Sequence, residues 1–406
     1  MKNYIFELDD ALTQVLDRCR CLSTEVIPLE KASGRVLASD LNARYDVPLF
    51  DKSPLDGFAF HASDTKSASR DNPLKLAVAE EIPAGSYPHK KLKKGYAAKI
   101  LTGAPVPEGA DAIVKFEDTE SADGYVTLFQ SFRAGDNIVH RGEDVSINEI
   151  IAPCGTLIDA AVHGMIASQG FSEVEVYKVP LIGIISQGNE LIEPGDILHP
   201  GKIYNSNRYM LTSALKKEGF SSIYLGSVQD NLDEITNYLR DAASMYDVII
   251  MTGGVSVGTY DFTESALERA GADILVDKLK MKPGSSCCIA FLKGIPIFGL
   301  SGNPSAAMTT FHLITVPALR KISGQADYRL QKICVRLAET FKKKSPNMRI
   351  LKGRLSLEKG SAVFHLNQHQ ENGSVSAMKN AEVFAVIPAG SGSVHSGTLL
   401  DAYIIS

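Results

Sequence analysis

The six cysteines of this chain, Cys19, Cys21, Cys154, Cys287, Cys288 and Cys334, contain no CxxC spacing. Its absence excludes a zinc ribbon and a thioredoxin-like redox pair, and leaves free thiols in a cytosolic protein as the simplest account. Cys287 and Cys288 follow a glycine turn and open an apolar run, so they read as strand residues rather than metal ligands. No apolar run reaches the ~18 residues of a membrane span, and Met1-Lys2-Asn3 opens no signal peptide. The expectation is therefore a cytoplasmic protein with no membrane partner. The formal net charge of −5 argues against a general nucleic-acid binder. There is no internal repeat and no low-complexity segment, and the nine histidines do not cluster. What is present, 44% hydrophobic and 22% charged residues, is ordinary globular composition. At ~150 residues per domain, the length suggests about two to four domains.

The most informative stretch spans residues 247–262, DVIIMTGGVSVGTYDF. Asp247-Val248-Ile249-Ile250-Met251 is a short β-branched apolar run and reads as a buried parallel strand. Thr252-Gly253-Gly254 follows, then Ser256 and Gly258, and helical spacing resumes at Thr263. A glycine-rich turn thus joins the carboxyl end of a strand to a helix, the place where ligands of open α/β sheets bind. Free main-chain N–H groups and the helix dipole favour an anion there. Asp261 stands just past the turn, where a carboxylate can hold a metal ion or water beside a phosphate. It also suits a plain helix N-cap.

Taken in order, residues 8–18 have helical periodicity, and 26–41 read as two short strands about the Ser33-Gly34-Arg35 turn. Residues 48–58 form a loop of two prolines, a glycine and charges among recurring apolar residues, and loops of that kind are often functional. Within it, Asp56-Gly57 also suits a hairpin turn. Residues 74–132 alternate in a β pattern. Thr102 lies at a strand end before Gly103, and Asp144 lies in the charged turn Arg141-Gly142-Glu143-Asp144. After Pro180 comes βαβ alternation, which reads as an open parallel sheet with helices on both faces. Three of its strand ends carry polar turns: Ser186-Gln187-Gly188-Asn189-Glu190, Thr252-Gly253-Gly254, and Leu300-Ser301-Gly302-Asn303-Pro304. Parallel strands place these on one edge, where they can converge on one ligand. Glu190, Asp230 and Asp261 add carboxylates near that edge. An anionic ligand among carboxylates calls for a divalent cation, and magnesium suits oxygen ligands and phosphates. Lys278 and Lys282 share a face if helical and can both reach an oxyanion if on a loop, while Lys280 reads as solvated. Residues 330–405 form a β-rich barrel or sandwich. Residues 327–359 hold ten Lys/Arg against three Asp/Glu. That excess can draw an anionic substrate or, as at Lys342-Lys343-Lys344, protect a sheet edge.

The ordered set of motifs resembles the molybdopterin molybdenumtransferase family (MoeA, and the matching domain of gephyrin) along essentially the whole chain. The residues that carry it are Ser53 to Phe58, Ile100 to Pro105, Gly142-Glu143-Asp144, Ser186 to Leu191, Tyr204-Asn205-Ser206-Asn207, Thr252 to Gly258 with Asp261, Lys282-Pro283-Gly284, and Gly299 to Pro304. The resemblance implies a multidomain α/β and β protein. A discontinuous linker domain takes 1–48 and 142–179, a β-rich insert 49–141, a three-layer doubly wound α/β molybdopterin-binding domain 180–325, and a C-terminal β-barrel 326–406. It further implies an elongated homodimer with the site shared between subunits. The implied reaction consumes adenylylated molybdopterin and molybdate and releases AMP with a divalent cation, Mg2+. A molybdopterin adenylyltransferase and apo molybdoenzymes are the implied partners.

By position the resemblance assigns catalytic roles to Asp56, Thr102, Asp144, Glu190, Asp230 and Asp261, with Glu190, Asp230 and Asp261 as metal ligands. Substrate binding falls to Ser186, Gly188, Asn207, Thr252, Gly253, Gly254, Ser256, Lys278, Lys282, Ser301, Gly302, Asn303 and Pro304. In the C-terminal part it falls to Arg349 or Arg354, and to Ser374 or Ser376. Three positions depart from the family pattern: Ser285 replaces a lysine, Thr259 an acidic residue, and Ser305-Ala306 a valine and a serine. These departures favour two alternatives, a tungstate-preferring insertase and a pterin-binding carrier or scaffold.

Overall fold

The structure is a computed structural model, and it describes residues 5–255 and 262–405. Its centre is a seven-stranded sheet. In spatial order the strands are Ile5–Phe6, Asp273–Leu279, Ser286–Leu292, Ile295–Leu300, Val248–Thr252, Ile182–Gln187 and Ser222–Val228. Val248–Thr252 is buried at every residue, as a strand covered on both faces must be. Helices Leu232–Met245 and Thr263–Ala270 cover one face through Ile235, Leu239, Ala266 and Leu267. Helices Leu8–Arg18 and Ser206–Lys217 and the helical run from Pro304 to Ile322 cover the other through Leu12, Leu211, Phe311 and Leu319. This is the three-layer, doubly wound arrangement read from the sequence.

Two features differ from that reading. The sheet is mixed: Ser286–Leu292 runs antiparallel to both of its neighbours. The cause is a two-residue turn, Lys293-Gly294, in which both residues have positive φ (53° and 88°), the geometry that matches the twist of a hairpin. Cys287 and Cys288 sit in this strand, fully buried. The second difference concerns residues 5–18, read as part of the linker. Ile5–Phe6 pairs in parallel with Asp273–Leu279, and Leu8, Leu12, Val15 and Leu16 pack into the core beneath the large sheet. The apolar stripe of this helix needs a wide face to cover, and the α/β layer supplies it.

Three smaller units surround the sheet. The strand pairs Thr24–Pro28 with Glu173–Tyr177 and Leu41–Asn42 with Ile150–Ala152 share a core with helix Ala160–Ser168. A six-stranded sheet from Gly57–Phe60 to Tyr125–Leu128 has apolar clusters on both faces. The C-terminal strands form a closed barrel, because Met348–Glu358 pairs with both Ser361–Leu366 and Val383–Ile387. The short strand Met281–Lys282 leaves the α/β layer and pairs with the barrel strand Met348–Glu358. Among the described residues no helix is long and apolar enough to cross a membrane.

Candidate active site

The three polar turns end strands that lie in register: Ser186 pairs with Thr252, and Thr252 with Leu300. The edge is therefore level, and the turns are side by side. Glycine is required in it. Gly253 and Gly254 have φ of 97° and 65°, and a methyl group on either would overlap Gln187. The Gly302 backbone approaches the same turn and accepts a hydrogen bond from Asn207 Nδ2 at 2.8 Å. The buried Asn207 Oδ1 has no partner among the described residues.

Two of the expected carboxylates stand on this edge. Asp230 follows strand Ser222–Val228 and precedes Asn231, whose side chain caps helix Leu232–Met245 through Asp233 N (3.0 Å) and Glu234 N (3.1 Å). Asp230 Oδ1 accepts from Gln187 Nε2 at 3.1 Å and Oδ2 from Asn189 N at 3.3 Å. Glu190 is exposed and lies over Gly188, where a side chain would strike its carboxylate. Asp261 and Ser256, the other expected residues of the central turn, lie outside the described residues, as does Thr259. Among the described residues no three His, Cys, Asp or Glu side chains are grouped to hold a metal ion.

Ser186 is completely buried, and its Oγ accepts from Asn205 Nδ2 at 2.9 Å. The same Asn205 amide reaches Glu193 (3.1 Å) and Tyr224 (3.1 Å), and Arg208 closes the group on Glu193 at 2.6 Å. Ser186 thus anchors the Asn205-Ser206-Asn207 turn to the sheet. The sequence reading did not single out Glu193 and Arg208 for this role.

The third turn differs from expectation. The N–H groups of Ser305 and Ala306, which open helix Pro304–Thr310, donate to the Asn372 carbonyl at 3.0 and 3.3 Å. The barrel loop around residue 372 therefore takes up donors that were expected to face an anion. Asn303 Oδ1 sits against Gly373. Ser374, one residue on, is half-buried and bonds Ser376 Oγ (2.9 Å) and Ala377 N (3.2 Å).

Cations come from the crossing into the barrel. Lys278 is half-buried at the end of Asp273–Leu279, and Lys282 is exposed and in register with Arg349. Neither lies on a helix. Arg349 is engaged by the segment just before its strand, through Ser345 Oγ (3.0 Å) and the Lys344 carbonyl (3.3 Å). Lys280 is not merely solvated but pairs with Glu7 at 3.2 Å. Lys342, Lys343 and Lys344 are exposed.

Lys352 lies among the basic residues of this region, yet it is 0% exposed. Its Nζ is buried without a partner among the described residues, and burial, then the nearby Arg349, push its pKa down to about 7. Gln370 and Asn367 bond its backbone and fold the 367–372 loop over it. The signal was present in the sequence: Lys352 is two residues from Ile350 and shares its face, and Ile350 packs into the core of the α/β layer.

Asp56 and Thr102 form a pair of their own. Thr102 N and Oγ1 both donate to Asp56 Oδ1 at 2.7 Å, and these bonds hold the exposed Asp56 carboxyl below its ordinary range. Asp56-Gly57 is not a hairpin turn. Gly57 opens strand Gly57–Phe60, and a side chain there would overlap the Val114 backbone. Asp144 is exposed and donates its N–H to the Val47 carbonyl at 2.9 Å.

Comparison with known proteins agrees along the whole chain. Residues 6–170 match the MoeA N-terminal region (domain I and II), 183–321 a probable molybdopterin binding domain, and 334–405 the MoeA C-terminal region (domain IV). The molybdopterin molybdenumtransferase of Bacillus subtilis (strain 168) is 35% identical over 404 residues, covering 98% of this chain and 94% of that protein. That of Staphylococcus epidermidis (strain ATCC 12228 / FDA PCI 1200) is 36% identical over 378 residues, covering 93% and 90%. A solved structure of the MoeA protein from Pyrococcus horikoshii OT3 superposes with a TM-score of 0.84 at 28% identity, covering 98% and 100%. On these grounds the chain belongs to the molybdopterin molybdenumtransferase (MoeA) family.

Proposed function

We propose that the chain inserts molybdenum from molybdate into adenylylated molybdopterin and releases AMP. The observation that carries this reading is the level edge of three turns, with Glu190 and Asp230 on its lip and Lys278, Lys282 and Lys352 where the barrel meets the sheet. A pyrophosphate-linked pterin is strongly anionic. A glycine turn lets its backbone approach without side-chain interference. Lysines at the barrel junction would hold the phosphates or the oxyanion, and Lys352 is suited to this because an anion would supply the partner that its buried amine lacks. Asp230, fixed by two donors, and Glu190 would orient the attacking water at the adenylate phosphorus. Such chemistry rests on positioning and charge stabilisation.

Magnesium fits this lip, because Mg2+ is commonly held by one or two carboxylates with substrate phosphates and waters. Glu190 and Asp230 would hold it together with Asp261, and it would neutralise charge on the phosphates. The Asp56–Thr102 pair and Asp144 would serve the same site from the second subunit of a homodimer. A molybdopterin adenylyltransferase would supply the substrate, and apo molybdoenzymes would receive the product.

The test is AMP release by purified protein with Mg2+ and molybdate, tungstate or neither, coupled to reactivation of an apo molybdoenzyme. Oxyanion-dependent release supports the reading and names the preferred metal. Tight binding of the adenylate without release under any condition would sink it in favour of a carrier. Glu190→Ala should abolish turnover and leave fold and assembly intact; full activity in that variant would remove Glu190 from the site.

A further inference from the structure

Gln187 is 2% exposed, yet its amide is directed at functional groups rather than at backbone structure. Nε2 donates to Asp230 Oδ1 at 3.1 Å, and Oε1 accepts from Thr263 Oγ1 at 2.8 Å. The carboxylate can only accept, so it fixes the orientation of the amide. Between these contacts the amide lies directly against Gly254, where a side chain would overlap it, while the Gln187 carbonyl lies against Gly253. Thr263 in turn donates its N–H to the Gly254 carbonyl at 3.2 Å and opens the helix that follows the central turn. One buried amide therefore touches the carboxylate of one strand end, the glycine turn of the next, and the head of the following helix.

We propose that Gln187 is a positioning residue that holds the Asp230 carboxylate at a fixed angle to the Gly253-Gly254 turn. The proposal rests on the molybdenum-insertion reading above, in which Asp230 orients water beside the bound phosphate. A half-exposed aspartate would otherwise sample several rotamers, and misplacement of an orienting group by about 1 Å can cost a hundredfold in rate. Asn189 N, the other donor to Asp230, is a backbone group one residue beyond Gly188 and fixes only one oxygen. Gln187 supplies the second point that defines the carboxylate plane.

Two variants separate this role from plain support of the turn. Gln187→Leu keeps the bulk and loses both contacts. Gln187→Glu keeps the acceptor for Thr263 but, when ionised, has no donor for Asp230. Both should lower kcat for AMP release by roughly tenfold to a hundredfold while KM for the adenylate changes less than about threefold. Each is assayed well below its own unfolding midpoint. Wild-type kcat in Gln187→Glu, or a parallel loss of kcat and KM in both variants, would overturn the role. A second measurement does not depend on turnover: the unfolding midpoints of Gln187→Leu, Asp230→Ala and the double variant form a cycle. Non-additive midpoints are expected for groups in contact, and additive ones would overturn the role even if wild-type turnover is normal. A wild-type protein that binds the adenylate yet never releases AMP would instead overturn the functional reading, and this role with it.

Discussion

Replacing Lys352 by methionine should make the protein more stable and less active. The side chain is wholly buried, and its Nζ has no partner among the described residues. Burial lowers its pKa from the ordinary 10.5 to about 7. A gap of about 3.5 at 1.36 kcal/mol per pK unit corresponds to about 5 kcal/mol, an upper limit for the cost of holding the charge there. Replacing buried ionic groups by apolar residues of similar shape gains about 1–4 kcal/mol in practice, and methionine is close to lysine in volume. The pH dependence has a definite sign. Between pH 7 and 10.5 the unfolded chain binds a proton at this site and the folded chain does not, so stability rises with pH across that window. The advantage of Lys352→Met should therefore be full below pH 7, shrink above it, and vanish near 10.5. Thermal unfolding of both proteins from pH 6 to 10, without ligand, measures this. A gain of 1 kcal/mol is worth about 2–4 °C in a unit of 150–250 residues. A variant less stable than wild type at pH 6–7 would refute the reasoning, since it would mean that the amine has a partner. The same variant should bind the adenylate more weakly, because it removes the amine proposed above to meet the bound anion.

Other perturbations follow from the same geometry. Gly253→Ala should cost at least about 1–3 kcal/mol from backbone strain alone, because φ is 97° and the new methyl would overlap the Gln187 carbonyl. Adenylate binding by calorimetry and the unfolding midpoint should both fall; an unchanged protein would mean that the turn is not built this way. Thr102→Val removes one of the two donors to Asp56 and should raise that carboxyl toward its ordinary range, visible in a carbon-detected NMR titration. Iodoacetamide on the folded protein should modify Cys21, Cys154 and Cys334, which are exposed, and spare Cys19 and Cys287, whose thiols burial pushes up to about 12, together with Cys288, raised the same way. Peptide mass mapping reads the pattern.

The parts of the site legible in the sequence were those made by main chain. Ser186, Thr252 and Leu300 each close an apolar run before glycine, and a strand end followed by glycine can be recognised without coordinates. Strand direction cannot. Nothing in the run 286–292 distinguishes a parallel strand from an antiparallel one, and only the Lys293-Gly294 pair, a weak hairpin signal, marks the reversal. Side chains that serve the site from within were harder still. Gln187 looks polar and loop-like in sequence, but it is the last residue of its strand and points inward. Lys352 was hidden by its company, since ten basic residues in one stretch suggest solvent for all of them. Its two-residue spacing from Ile350 marks a shared strand face, but whether that face is covered depends on the barrel docking against the α/β layer, a tertiary event that spacing alone does not record. Likewise the capture of the Ser305 and Ala306 N–H groups by Asn372 joins residues about 65 apart in the chain.

The first strand and helix, residues 5–18, bear on how the protein is made. Their partner strand Asp273–Leu279 emerges from the ribosome some 250 residues after them. At about 5–20 residues per second, the apolar stripe of Leu8, Leu12, Val15 and Leu16 waits roughly 12 to 50 seconds for its binding face. During that interval it is an exposed amphipathic segment of the kind that nascent-chain chaperones engage. A recombinant fragment begun at residue 180 would carry the reciprocal defect, an open sheet edge at Asp273–Leu279 above an uncovered apolar floor.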